Sequence, residues 1–259
     1  MKFSIVTPSF NQGRFIRDCI ESVKAQTGVA WEHLVQDAGS TDETLDILKE
    51  HPHLNWVSEK DEGMSDGINR GFLKATGDWV MWLNTDDYLL PNALEKVAAF
   101  AARHPEADVI YGDCLFVDEQ KRTLRRKREH RFDFSILLFY GCYIPSTSTF
   151  INRRLINAGH LLEVTYKVCM DFDYYVRLSR LGYRFAYLPE ALAAFRWHET
   201  NTSSVQLQRR REERLRVQQE HLGLAGRKPP PGRKHLALLY RVYQLKRGLL
   251  RLRAHGFKA

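Results

Sequence analysis

Apolar residues in the first hundred positions alternate between two spacings, and that alternation sets the architecture. The runs Phe3-Ser4-Ile5-Val6, residues 31–36, residues 54–58 and Trp79-Val80-Met81-Trp82-Leu83 have the length and composition of strands. Between them, Phe15, Ile16, Cys19, Ile20 and Val23 fall on one helical face, as do Leu45, Ile47 and Leu48, and then Met64, Ile68 and Phe72. Ser40-Thr41-Asp42-Glu43 has the capping-box pattern and predicts the start of the second helix. Strand and helix in alternation predict an α/β fold: three α/β/α layers around a mostly parallel, mixed sheet.

Each strand ends in a polar or acidic turn, and in such a sheet these turns share the edge where ligands collect. Asp37, Asp61, Asp86 and Asp87 are therefore expected as neighbours. Beyond Asp87 the order changes. A helix is expected over 91–103, a strand over 108–116, and a basic run over 121–131 that reads as a hairpin or a solvated surface. Residues 132–170 give no clear assignment; Pro145-Ser146-Thr147-Ser148-Thr149 within them is an active-site loop or a polar connection. A helix over 171–181 and two short strands, 184–188 and 191–198, follow.

Charge divides the chain. The net charge is +8, yet residues 204–259 hold fifteen Lys and Arg against three Glu, so the remainder is net acidic. We expect a body over 1–205 and a basic, helical extension over 206–259, interrupted by Pro229-Pro230-Pro231-Gly232. Past that break, Leu236, Leu239, Tyr240, Tyr243, Leu249 and Leu250 recur among Lys and Arg at helical spacing. This fits an anionic membrane surface, packing on the body, or a second copy of the chain. Nucleic-acid binding has no recognised fold to support it. Cys19, Cys114, Cys142 and Cys169 lack zinc-type spacing, so reduced thiols in the cytoplasm are expected. No signal peptide is read at the first apolar run, which ends at Pro8, and no run of eighteen apolar residues exists to span a membrane.

The chemistry centres on Asp86 and Asp87. Two carboxylates at a strand end suit a hard divalent cation held with phosphates; the alternative, a cap for the next helix, fits poorly because Pro91 favours the first helical position. Both can approach one nucleotide only if the chain leaves the strand, with Asp87 on the cation and Asp86 on the ribose or the ion's waters. Asp37 can accept from the imide N–H of uracil or thymine, or form an Asx-turn beside Gly39; Asp61, beside Gly63, has the same two readings. Asp66 and Asn69 lie three apart on one helix face and reach a shared ligand or solvent. Arg196 and His198 share a strand face, where His198 can complete a metal shell and Arg196 hold phosphate. Asp171 and Asp173 open a helix as ordinary caps or as a general base.

Taken in order, Thr7-Pro8-Ser9-Phe10-Asn11, Asp37-Ala38-Gly39-Ser40-Thr41-Asp42, Asn69-Arg70-Gly71, Ala75-Thr76-Gly77-Asp78, Leu83-Asn84-Thr85-Asp86-Asp87, Asp171-Phe172-Asp173 and Arg196-Trp197-His198 resemble the family 2 glycosyltransferases of GT-A fold. The resemblance covers about residues 2–205. It implies an inverting transferase that uses a nucleotide-diphosphate sugar and Mn²⁺ or Mg²⁺. It puts the base on Asp37, the metal on Asp87 with His198, and the ribose on Asp86. Pro8, Ser9, Asn11, Asp61, Asp66, Asn69, Asn84 and Arg196 join the donor site. The general base falls on Asp171, although Met170 replaces the Glu usual before it. The stretch from Asp61 to Asn69 resembles a subgroup common in polysaccharide assembly, with Ile68 where many members have Arg. UDP-sugars are the expected donors, with dTDP-sugars next. A glycan or lipid-linked saccharide is the acceptor, and the protein is expected to be peripheral on the cytoplasmic face of the membrane. The rival from another class is a non-catalytic nucleotide- or RNA-binding protein that keeps the fold and uses the basic tail.

Overall fold

The computed structural model describes residues 1–201, 205–224 and 233–256. The four apolar runs form one side of a nine-stranded sheet. Strand β1 (Lys2–Ser9) lies between β2 (Ala30–Asp37) and β4 (Trp79–Trp82), and β2 pairs with β3 (Asn55–Ser58); all three pairings are parallel. Side chains alternate across this sheet. Val6, Val80 and Trp82 enter the larger core on one face, whereas Phe3, Ile5, Trp79 and Met81 enter a second core on the other. The helices α1 (Gly13–Lys24) and α4 (Ala93–Arg103) cover the second face; α3 (Met64–Lys74) covers the first. Gly71 lets α3 sit against β1, because a Cβ there would stand 2.3 Å from the Val6 side chain.

Beyond β4 the sheet becomes mixed, as expected. β8 (Thr149–Asn152) runs antiparallel between β4 and β6 (Val109–Val117), and β6 pairs in parallel with β9 (Phe185–Arg196). The two-residue β5 (Tyr88–Leu89) closes the far edge against β9. Where two short strands were expected, β9 is one strand of twelve residues, with register shifts beside Gly112 and Asp113 taking up Pro189 and Glu190. The basic run does form a hairpin: β7 (Thr123–Lys127) pairs with β6 and sends Arg126 to the buried Asp113. Residues 132–170 resolve into α5 (Phe134–Tyr140), a 3₁₀ turn (Ser146–Ser148), β8 and α6 (Arg153–Asn157), followed by α7 (Met170–Arg180).

One expectation changes. The helix α2 (Thr44–Lys49) starts without the capping box. Ser40 Oγ donates to Asp37 instead, and Asp42 accepts from the Thr44 and Gly13 amides, tying this turn to the start of α1. The extension is helical, as expected, and it packs on the body. The helix α8 (Leu207–Leu224) buries Val217 and Leu222 in the larger core, and α9 (Arg233–His255) lies along α5. Tyr240 and Tyr243 stack on Tyr140 and Phe139, and Arg247 grips the fully buried Glu129 with two 2.8 Å bonds. Of the readings kept open for α9, packing on the body holds for this face. Its other face leaves Leu238, Val242, Leu245, Leu249 and Leu252 exposed. Among the described residues no helix is long and apolar enough to cross a membrane.

Candidate active site

The strand ends of β1, β3, β4 and β9 surround one cavity of about 740 Å³, of the size that takes a nucleotide with a sugar. Pro8 and Ser9 line it from β1, Asp61 from the turn after β3, Asn84 and Asp86 from the turn after β4, His198 from beyond β9, and Asp171 from the start of α7. Several polar atoms of this wall are buried without a partner: Ser9 Oγ, Gln12 Oε1, Asn84 Oδ1 and Trp82 Nε1. Buried polar groups are rarely left unpaired, so four on one wall point to a polar ligand.

The adjacent carboxylates separate. The chain leaves β4 at Trp82 and turns, with the Asp87 amide donating to Asn84 O at 3.1 Å. Asp86 therefore faces the cavity, where its Oδ2 accepts from His198 Nε2 at 2.9 Å and from Asn201 Nδ2 at 3.3 Å. Asp87 goes the other way. It is 0% exposed, and its carboxylate accepts from the Arg196 amide at 3.0 Å and from Thr147 Oγ1 at 2.9 Å. Burial and the Asp86 charge push its carboxyl well above the usual range. Of the pair expected at the cation, it is Asp86 that faces the cavity with His198, while Asp87 clamps β9 and the 3₁₀ turn from beneath.

A divalent cation fits that pair. Carboxylate and imidazole are ordinary donors for Mn²⁺; His198 Nδ1 lies 2.8 Å from Thr200 Oγ1, and Nε2, which here meets Asp86, would take the ion in exchange for that hydrogen bond. Among the described residues no three His, Cys, Asp or Glu converge, so phosphate and water oxygens would supply the rest of the shell.

Arg196 lies apart from the cavity wall. The strand ends there, so strand alternation does not carry to His198. The guanidinium is buried beneath the site, 2.7 Å from Asp18 and against the Phe15 and Tyr88 rings, and does not reach the cavity. Asp66 and Asn69 lie outside it as well. Asp66 pairs with Arg70 at 2.8 Å, and Asn69 holds the Leu162 backbone with two 2.9 Å bonds. Asn11 adopts positive φ, and its side-chain oxygen accepts from the Thr41 amide. Asp37 takes the Asx-turn arrangement, accepting from the Gly39 and Ser40 amides and the Ser40 and Ser58 hydroxyls, while its neighbour Ala38 lines the cavity.

Elsewhere on the lining, Asp171 and Asp173 part company. Asp173 is paired with Arg177 at 3.1 Å and sits 3.4 Å from His221, away from the cavity. Asp171 lines it. Burial raises its carboxyl above the usual value, only partly offset by the Phe172 amide, the Cys142 thiol and the Lys127 charge. Lys60, Lys127 and Lys167 also line the cavity and were not singled out from the sequence. For Lys127 a signal existed: strand alternation puts Arg125 and Lys127 on one face of β7 and Arg126 on the other.

Known proteins share this chain's sequence pattern and fold. The family described as Glycosyl transferase family 2 matches residues 4–180. A PGL/p-HBAD biosynthesis glycosyltransferase of Mycobacterium bovis (strain BCG / Pasteur 1173P2) is 34% identical over 181 residues, 68% of this chain and 68% of that protein. Chondroitin synthase of Escherichia coli is 26% identical over 227 residues, 86% of this chain but 33% of the synthase. In fold, S. aureus TarS 1–349 in complex with UDP-GlcNAc matches with a TM-score of 0.71 at 20% identity, covering 99% of this chain and 75% of that one. Mannosyltransferase PcManGT from Pyrobaculum calidifontis, in complex with GDP-Man and Mn²⁺, matches at 0.66 and 18% identity, covering 98% and 75%. A cavity at the strand ends, a GT-A sheet around it and a family match over two thirds of the chain lead to one conclusion: this chain belongs to glycosyl transferase family 2.

Proposed function

We propose that this glycosyltransferase moves a sugar, with inversion, from a UDP-sugar to a hydroxyl of a glycan or lipid-linked saccharide in surface polysaccharide assembly. The observation that carries the reading is that one cavity is lined by both the Asp86–His198 pair and the buried Asp171. TarS in complex with UDP-GlcNAc supports a uridine donor, and PcManGT with Mn²⁺ supports a divalent ion.

Asp171 accepts the proton of the acceptor hydroxyl as its oxygen attacks the anomeric carbon from the side opposite the diphosphate. A carboxylate whose proton affinity is raised by burial is a better base near neutral pH. No second carboxylate nucleophile is needed for a single displacement with inversion. Asp86 and His198 would hold the Mn²⁺ or Mg²⁺, which when bound neutralises charge developing on the departing diphosphate. Asn84, beside Asp86, offers its free Oδ1 to the ribose, and Lys60 and Lys167 stand where phosphates can meet them. Asp37 keeps the base-site loop in shape and reaches the imide N–H by exchanging one internal donor.

The test is turnover with UDP-, dTDP- and GDP-sugars, Mn²⁺ and oligosaccharide acceptors, with product anomers read by NMR. Nucleotide binding without sugar release from any donor, unchanged in Asp171→Asn, would favour the non-catalytic alternative.

We also propose that the exposed stripe of α9 rests on an anionic membrane. Leu238, Val242, Leu245, Leu249 and Leu252 recur every three to four residues on the face turned from the body. The helix carries no Asp or Glu, so a second copy would set Arg241 and Arg253 against like charge, whereas anionic lipid complements them. In the full chain, Leu245→Glu with Leu249→Glu should abolish binding to phosphatidylglycerol vesicles. Unchanged vesicle binding removes the membrane, and loss of a wild-type dimer instead assigns the stripe to self-association.

A further inference from the structure

Beside the main cavity lies a smaller hollow of about 150 Å³, lined by Arg125, Lys127, Arg247 and Arg251 together with Tyr140 and Cys142. It shares Lys127 and Cys142 with the main cavity, and the Cys142 thiol lies 3.5 Å from Asp171 Oδ2. The hollow thus opens next to the general base, whereas neither Asp86 nor His198 lines it.

Its charge is one-sided. Glu129 is the carboxylate paired with this group, bonded to Arg247 at 2.8 Å and 3.5 Å from Lys127 Nζ. Four cations against Glu129 and, beyond Cys142, Asp171 leave an excess of positive charge in a concave site. Donors are also unspent: Arg247 Nε and Arg251 Nε are buried without hydrogen-bond partners. Arg125 is steadied by the Phe116 ring, 4.1 Å from its guanidinium carbon, rather than by a carboxylate. The volume equals about five water molecules, enough for a phosphoryl group. Planar guanidinium forks match its oxygens two at a time.

We propose that this hollow is an acceptor-side subsite that binds a phosphoryl group carried by the acceptor, with Arg125, Arg251 and Lys127 as its donors. The inference rests on the transferase reading, with Asp171 as the point where the acceptor hydroxyl must arrive. A phosphate anchored beside it limits which hydroxyl is presented. The phosphoryl group belongs either to a soluble phosphorylated glycan or to a lipid-linked saccharide, and α9, which contributes Arg247 and Arg251, also bears the exposed leucine stripe.

The experiment reads binding rather than turnover, so that its failure is separable from failure of the transferase reading. With the full chain saturated in UDP and Mn²⁺, inorganic phosphate, sn-glycerol 3-phosphate and phosphatidylcholine vesicles carrying a polyprenyl phosphate are titrated calorimetrically. Arg125→Gln and Arg251→Gln are the variants, since both leave the Arg247–Glu129 pair intact, and UDP affinity reports that they fold. Each should weaken phosphate binding by about tenfold, as expected for losing a charge-assisted bond. Binding of the two soluble phosphates points to a soluble acceptor, and binding confined to the polyprenyl phosphate vesicles points to a lipid-linked one. Absence of binding in all three arms, or equal binding by the double variant, overturns the proposal.

Discussion

Replacing Asp86 and Asp87 one at a time should produce opposite failures. Asp87→Ala removes the acceptor for the Arg196 amide and the Thr147 hydroxyl at a position with no solvent exposure. Each buried donor left unpaired costs about 1–3 kcal/mol, so the two together cost ~2–6 kcal/mol. In a chain of this length, each kcal/mol lowers the melting temperature by about 2–4 °C, which predicts a fall of roughly 5 °C or more. Asp86→Ala instead leaves Asn201 Nδ2 still donating to Arg196 O and His198 on the cavity lining, and should cost less, ~1 kcal/mol. The assay is thermal unfolding with and without UDP and Mn²⁺. Ligand at a hundredfold excess over its Kd stabilises the wild type by about 2.7 kcal/mol. Asp86→Ala should melt near the wild-type temperature and lose the Mn²⁺-dependent part of that gain. Asp87→Ala should melt early and retain it at temperatures where it is folded. If Asp87→Ala melts normally but no longer responds to Mn²⁺, while Asp86→Ala responds fully, the roles given to the pair are reversed.

Asp171→Asn should lower kcat by about 10²–10⁴-fold, the usual reach of general base catalysis, whereas Asp173→Asn should act mainly on stability through the Arg177 pair. Because Asp171 works ionised and burial raises its carboxyl, activity should fall on acidification through a midpoint above the ordinary carboxylate range; a pH–rate profile with its acid limb at or below that range would contradict this. Arg247→Met leaves Glu129 charged and buried, a loss of roughly 3–5 kcal/mol that chemical denaturation would measure, and adding Glu129→Gln should recover part of it.

The parallel half of the fold was legible because periodicity reports which residues share a face, and Val6, Val80 and Trp82 against Phe3, Ile5 and Met81 sort as the pattern demands. The same pattern located the strand-end acids. It could not tell Asp86 from Asp87, because alternation stops where the chain leaves β4, and the outcome depends on Thr147 and Arg196, sixty and more residues away. His198 met the same limit two residues past β9, where it pairs with Asp86. Asn69 shows another limit: an Asn on a helix face looks free for a ligand until Leu162 arrives from a distant segment. Residues 132–170 were opaque because their elements are short and capped locally, as by Asp133 on α5 and Asn152 on α6.

The helix that presents Asp171 begins without a cap of its own. The amides of Lys167, Val168 and Cys169 donate instead to Glu213 of α8, which sets a negative charge at the positive end of α7. The proposed base is therefore aligned by a residue translated some forty positions later. A nascent chain that has already paired β1, β2 and β4 still lacks this anchor, and gains it only when α8 clears the ribosome. Synthesis order thus becomes a timing device: the enzyme's catalytic wall is finished after its nucleotide wall.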